Sequence, residues 1–313
     1  MNGGNWVDYV RVPAATRATH YRLFDPNPLP RMALIPTGSF AMGDSLSDGF
    51  SHELPVHESY VSAFYMDTTL VSYALWTNVY SWATSRGYSF NNGGAGKAAD
   101  HPMHTVSWYD AVKWCNARSQ QTGATPVYYT DAGLTQVYAS GDTDAVYPDW
   151  TAKGFRLPTE AEWEKAARGG LSGQRFPWGS TISWDHANYY AHPEYYDWDV
   201  SPAQDYDPAF NDGVLPYTNP VDYLPANGYG LHDMAGNLFQ WCWDWYGLYS
   251  SESQADPPGP TSGTQRVTRG GAWPNPAHGC RAAARYFSPV SNITPDSRHF
   301  DLGFRCVFPA SQP

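Results

Sequence analysis

Glycine and proline interrupt this chain too often for long regular elements to form: there are 28 of one and 26 of the other in 313 residues. Each proline fixes φ and removes a backbone donor, and glycine weakens the interior of any element it enters. Turns must therefore be frequent, and helices and strands short. What can hold such a chain together is visible in its other residues. Aromatic side chains make up 16% of it, with 14 Trp and 23 Tyr. Charged residues are also only 16%, against roughly 25% in ordinary soluble domains. The expectation is a compact, loop-rich body pinned by aromatic packing, not a helical bundle or an open parallel sheet.

No window reads as a linker and no internal repeat is found. Residues 1–31 carry prolines and scattered charge without a period, and read as an irregular arm with room for one strand. Residues 32–313 read as a single α+β domain. MALIPTGSFAMG, from Met32, alternates apolar residues about a Pro-Thr-Gly turn and predicts a hairpin, and VSAFYMD predicts a further strand. Three helices are expected early. Ser72–Ser85 places Leu75, Val79 and Trp82 at helical spacing behind a Ser72 cap. Ser107 caps a second helix, with Asp110 reaching back as in a capping box. Thr159 and Glu162 form the same box on a third, which Gly169 ends. Beyond Gly170 no long helix is expected, only loops and short strands.

The net charge of −11 argues against nucleic acid, because phosphate binding needs a basic face; it fits calcium, or solubility alone. No apolar run approaches the ~20 residues that span a bilayer. The N-terminal MNGGNWVDYVRV lacks the charged and apolar blocks of a leader. Cys115, Cys242, Cys280 and Cys306 are widely spaced without a CxxC pair, which disfavours zinc and permits up to two long-range disulfides. His278 and Cys280, two apart, could share a metal, but a loop histidine beside a buried cysteine is the preferred reading. His101 and His104 fall in a proline turn and read as turn packing; His52 and His57 flank another turn. No nucleophile elbow, zincin, P-loop or dinucleotide fingerprint is present. The acidic pairs Glu160/Glu162 and Asp205/Asp207 read as helix capping and loop solvation, not as glycosidase carboxylates.

Seven segments carry a resemblance: SFAMG (39–43), HPMHTVSWYDAVKWCN (101–116), GFRLPTEAEWEKAARGG (154–170), RFPWG (175–179), NGYGLHDMAGNLFQWCWDWY (227–246), RVTRGGAWPNPAHGCRAAAR (266–285) and DLGFRC (301–306). In this order they resemble the formylglycine-generating-enzyme, or sulfatase-modifying-factor, family over roughly residues 32–308. The resemblance implies an elaborated C-type-lectin-like fold with little regular structure. That fold hosts several activities: sulfatase-activating oxidases, the sulfoxide synthase of ergothioneine biosynthesis, a pyoverdine-maturation enzyme, and non-catalytic display proteins, retroelement-diversified surface proteins among them.

The family's oxidase holds copper(I) between two thiolates, and soft thiolates are what that ion requires. In Arg269-Gly-Gly-Ala-Trp-Pro-Asn-Pro-Ala-His-Gly-Cys280 the resemblance matches Cys280 to the second thiol, while Asn275 stands at the first. Copper oxidase activity is therefore not expected, and Cys280 is the one catalytic candidate. The resemblance also implies two calcium sites of mostly backbone oxygens, one at Asn188, Tyr189, Asp212 and Val214, the other at Asp233, Gly236, Leu238 and Gln240. It implies a Cys115–Cys306 disulfide, closing a loop worth about 4–5 kcal/mol and placing the protein outside the cytoplasm. Cys242 and Cys280 remain as a weaker second pair.

The resemblance also implies that the C-terminal segment forms the binding surface. Here it offers Trp273, Asn275, His278, Tyr286, Phe287, Asn292 and Arg298, types that recognition surfaces use, with Trp273 and Arg285 also readable as core. Asn292-Ile-Thr294 fits a glycosylation acceptor. The leading expectation is a calcium-stabilised, extracytoplasmic bacterial protein that binds a protein, peptide or small-molecule ligand. The alternatives are an oxidoreductase of the same family at a non-standard metal site, and a partner-binding module attached to other domains.

Overall fold

The computed structural model describes residues 31–285 and 293–310, and the backbone of two strands before them. It falls into two units, Met1–Met32 and Ala33–Pro313. In the first, β1 (Tyr9–Val12) and β2 (Thr19–Arg22) pair antiparallel as a hairpin, one strand more than the sequence suggested.

From Met32 onward the chain runs β3 (Met32–Ile35), β4 (Gly38–Met42), β5 (His57–Val61), β6 (Phe64–Asp67), α1 (Tyr73–Thr84), α2 (Trp108–Gln121), β7 (Tyr128–Tyr129), β8 (Tyr147–Pro148), α3 (Glu160–Ala167), β9 (Phe239–Trp245), β10 (Gln254–Ala255), β11 (Arg266–Arg269), β12 (Leu302–Gly303) and β13 (Val307–Pro309). It is an α+β fold of short pieces, as the glycine and proline density requires. Three three-stranded sheets, ordered β10-β5-β4, β11-β9-β12 and β13-β6-β3, and the small β7-β8 pair carry it. The expected β3–β4 hairpin does not form. Pro36 lies in the corner between them and lacks an N–H for a ladder; β4 pairs with β5 instead, Gly38 against Val61 through Met42 against His57.

All three early helices form. Ser72 Oγ accepts from the Leu75 amide at 3.2 Å, but α1 buries Trp76, Val79 and Ala83, one residue round from the expected stripe. Trp76 decides this: it stacks on Trp114 of α2 at 5.7 Å between ring centroids, and its Nε1–H donates to Gly93 O. Ser107 caps α2 as expected, but the Asp110 carboxylate does not close a box. Its Oδ1 accepts the Asn91 amide at 3.1 Å and faces Lys113 at 3.4 Å. On α3 the Thr159–Glu162 box is complete.

The acids of α3 do more than cap. Arg285 grips Glu160, Arg156 grips Glu162, and Glu164 accepts from both Arg168 and Arg269, all buried. Elsewhere Arg118 forks onto Asp67 and Arg281 onto Glu53. Paired, forked geometry of this kind is what allows a buried charge to be tolerated. Several of these arginines come from the loop-rich second half, so the ion pairs tie that half onto the early helices and strands. One apolar core cluster lies beside them, with Ile35, Phe64, Met66, Trp163, Cys242, Val267 and Val307 among its members.

Candidate functional site

β11 ends at Arg269, and the chain turns through Gly270 and Gly271 at φ +98 and +71, a region open to glycine at no steric cost. A methyl on Gly271 would lie 2.7 Å from Cys280 Sγ, so the loop is folded tightly on its own cysteine. The Asn275 amide donates to Ala272 O at 2.9 Å, Tyr190 N–H donates to Asn275 O at 3.0 Å, and a short 3-10 turn, Ala277–Cys280, follows. Cys280 is fully buried, and burial, reinforced by Asp199, pushes its thiol up to about 12. It is a neutral thiol at physiological pH. Asn275 Oδ1 is buried without a hydrogen-bond partner. With asparagine at position 275, Cys280 is the loop's one sulfur, and a single thiol does not supply the paired thiolates that copper(I) needs, so these residues do not fit that ion.

His278 does not turn to Cys280. Its Nδ1 pairs with Tyr196 OH at 2.9 Å and its ring meets Phe50 edge-on at 5.7 Å. Trp273 is buried at 2% exposure, falling on the core side of the two readings. Its ring is roofed by Tyr206, Tyr217 and Phe300 at 5.5, 5.1 and 5.6 Å, and Tyr190 meets Tyr206 at 4.7 Å. Phe300 is half exposed, and Lys97 Nζ lies 5.8 Å from the Tyr217 ring. These covering rings were not picked out from sequence, because tyrosines on loops follow no period. Arg298 turns elsewhere, toward Asp110 at 3.8 Å and Asp142 at 3.7 Å. Tyr286, Phe287 and Asn292 lie outside the described residues.

Under the loop sits a knot of amides. Trp273 N–H donates to Asn237 O, the Gly236 amide to Gly270 O, and the Asn237 amide to Asn188 O. Asp233, Gly236 and Asn237 all hold positive φ. A methyl on Gly236 would lie 2.3 Å from Asn188 O, so only glycine fits. Residues assigned from sequence to two calcium sites thus meet at Asn188 and this loop. Asn219, unassigned from sequence, joins them: its Nδ2 donates to Asp233 Oδ1 at 3.1 Å. Asp233 Oδ2 and Asn219 Oδ1 are buried with no partner, and burial pushes Asp233 up to about 6. Two orphaned oxygens, one a carboxylate's, are of the donor type a hard cation takes. Gln240 is committed otherwise, its Oε1 accepting from Trp163 Nε1 and Arg305 Nε and its Nε2 donating to Asp233 O. At the other proposed set, Lys97 Nζ donates to both Asp212 Oδ1, at 2.7 Å, and Val214 O, at 2.9 Å. The side chains of Asn188 and Tyr189 point to Tyr217 O and Asp199.

A sulfatase-modifying factor enzyme 1-like domain matches residues 20–310. The chain belongs to this family. It is 34% identical over 297 residues to the formylglycine-generating enzyme of Streptomyces coelicolor, covering 87% of each chain. To the enzyme of the same name from Bos taurus it is 34% identical over 301 residues, 90% of this chain and 75% of that one. Among solved structures, Treponema denticola variable protein 1 superposes with a TM-score of 0.67 at 27% identity, over 96% of this chain and 99% of that one. The family fold, formylglycine-generating-enzyme-like and α+β, is thus the one observed.

Elsewhere in this family member, Cys115 and Cys306 face each other as thiols, Sγ to Sγ 3.5 Å apart and fully buried. Cys242 is also buried. His101 Nδ1 pairs with Thr218 Oγ1 and His104 Nδ1 with Thr105 Oγ1, and burial lowers the basicity of both rings, as turn packing requires. Among the described residues no three His, Cys, Asp or Glu side chains cluster to hold a metal, and no helix is long and apolar enough to cross a membrane.

Proposed function

We propose that this family member binds a ligand through the face around Asn275 and carries no copper oxidase activity. The observation that supports this best is asparagine at position 275, which leaves Cys280 as the loop's single thiol where the oxidase chemistry needs two thiolates. The rings of Tyr190, Tyr206, Tyr217 and Phe300 supply rigid amphipathic contact area beside them, which recognition surfaces use at low entropic cost. Similarity to a protein named for its variability is in keeping with a display role. Calcium is proposed at the Asp233–Asn219 oxygens; at Asp212 and Val214 it would have to displace Lys97. A Cys115–Cys306 disulfide and an extracytoplasmic location belong to the same proposal. The second reading, an oxidoreductase centred on Cys280, draws on the 34% identity to named formylglycine-generating enzymes. Oxygen consumption with a Cys-x-Pro-x-Arg peptide and copper separates the two: none above background is expected, and turnover that produces formylglycine would overturn the proposal.

A further inference from the structure

We propose that the cleft between the start of α3, the end of β9 and the 247–260 loop is a separate binding site, one that takes an organic ammonium ion on an aliphatic stem. The cleft has a volume of about 570 Å³, within the range of small-molecule pockets. Glu160 and Asp244 lie at its base, and Tyr249, Pro257, Pro258 and Pro260 line its walls. The two carboxyl groups differ sharply. Glu160 is ionised and paired, since Arg285 Nε and Nη2 donate to it at 2.6 and 2.8 Å and Tyr249 OH donates at 3.2 Å. Asp244 is 4% exposed and has no ion pair among the described residues. Its Oδ2 accepts the Glu160 amide at 2.7 Å, and Oδ1 has no donor among the described residues. Gly259, at φ +75, keeps that oxygen open: a methyl there would lie 2.6 Å from Oδ1.

One unpaired carboxyl oxygen in a cleft selects the cation. A divalent metal would need several oxygens. Guanidinium favours both oxygens of a carboxylate at once, and Oδ2 is taken. An ammonium, a compact point donor, needs only Oδ1, and proline and tyrosine walls suit its methylene stem. Burial first, then the charge of Glu160 and that of Glu162, pushes Asp244 up to about 8, with Arg285 opposing. Cys242 on the same strand, Arg266 on β11, and His57 and Tyr249 at the cleft complete the titratable groups around it. At neutral pH the carboxyl is therefore protonated, and a bound ammonium supplies the charge that lets it ionise, releasing one proton to solvent. The amine could be free or the side chain of a lysine.

Calorimetric titration of the full chain with n-butylammonium, with Nα-acetyl-lysine methylamide and with the peptide Gly-Lys-Gly tests this. Saturable one-to-one binding is expected, about tenfold tighter at pH 9 than at pH 7, because only the ionised carboxyl binds. Titrations at pH 7 in buffers of different ionisation enthalpy should report close to one proton released. Asp244→Asn should lose the binding at both pH values while keeping the acceptor for the Glu160 amide. Binding of butylammonium alone assigns the site to a small amine, and binding of all three to a lysine side chain. No saturable binding of any probe at pH 9, or binding without proton release at pH 7, overturns the proposal whether or not Asp244→Asn folds. So does wild-type affinity in that variant.

Discussion

Two cysteine positions in this molecule start from the same condition and end differently. Cys115 and Cys306 are buried, and each finds the other's sulfur at 3.5 Å, above the forked Arg118–Asp67 pair, with Asp67 Oδ2 also accepting the Cys306 amide. Cys280 is equally buried, but its loop presents an asparagine oxygen with no partner. A thiol pair can become a bond that constrains the whole chain, whereas the Cys280 loop offers only one sulfur. On the reading proposed above, the family frame is kept while Asn275 stands where the oxidase loop needs its other thiol.

The largest effect should come from the first pair. Oxidising Cys115 and Cys306 closes a loop spanning 191 residues, worth about 5 kcal/mol in the chain-entropy account. Melting under reducing and oxidising conditions should differ accordingly. Cys115→Ser should abolish the difference and Cys280→Ala should leave it intact; a redox-independent melting temperature in wild type would break the contrast. Next, Arg118→Met strands the buried Asp67 carboxylate and should cost about 3–5 kcal/mol by urea unfolding. Chelation comes third. Losing a cation bound only by the folded state costs about 2.7 kcal/mol at hundredfold excess over Kd, and Asp233→Ala should remove most of that sensitivity. Because Asn237 and Gly236 anchor the loop above, hydrogen exchange in EDTA should rise at residues 271–280 and not at 110–118. An unchanged melting temperature in EDTA at matched ionic strength would exclude calcium. Smallest is Asn275→Ala: its side-chain oxygen has no partner to lose, so stability should change by no more than about 1 kcal/mol.

The sequence was most legible where a local rule decides the outcome. Ser72, Ser107 and Thr159 cap helices because a hydroxyl beside a free amide is a contact within three residues. Pattern failed where distant residues intervene. Trp76 rotates the buried face of α1 because Trp114 waits for it, and Asp110 abandons its box for Asn91 and Lys113. The acids of α3 read as caps because their arginine partners lie up to 125 residues away. At the candidate site, Cys280 and Asn275 were identifiable by motif, but Asn219 and the tyrosines over Trp273 were not. They sit on loops, where neither period nor spacing marks which side chains converge.

The central claim is that the Asn275–Cys280 loop is not a copper(I) site. Titrating the reduced protein with Cu(I) against a competing chelator tests it most directly, with Cys280→Ser as the control that removes the loop thiol alone and leaves Cys115 and Cys306 in place. Wild type and Cys280→Ser should be indistinguishable, while Asn275→Cys should gain affinity by orders of magnitude if Pro274 and Pro276 let the new thiol face Cys280. A tight one-equivalent Cu(I) site in wild type that disappears in Cys280→Ser would contradict the account.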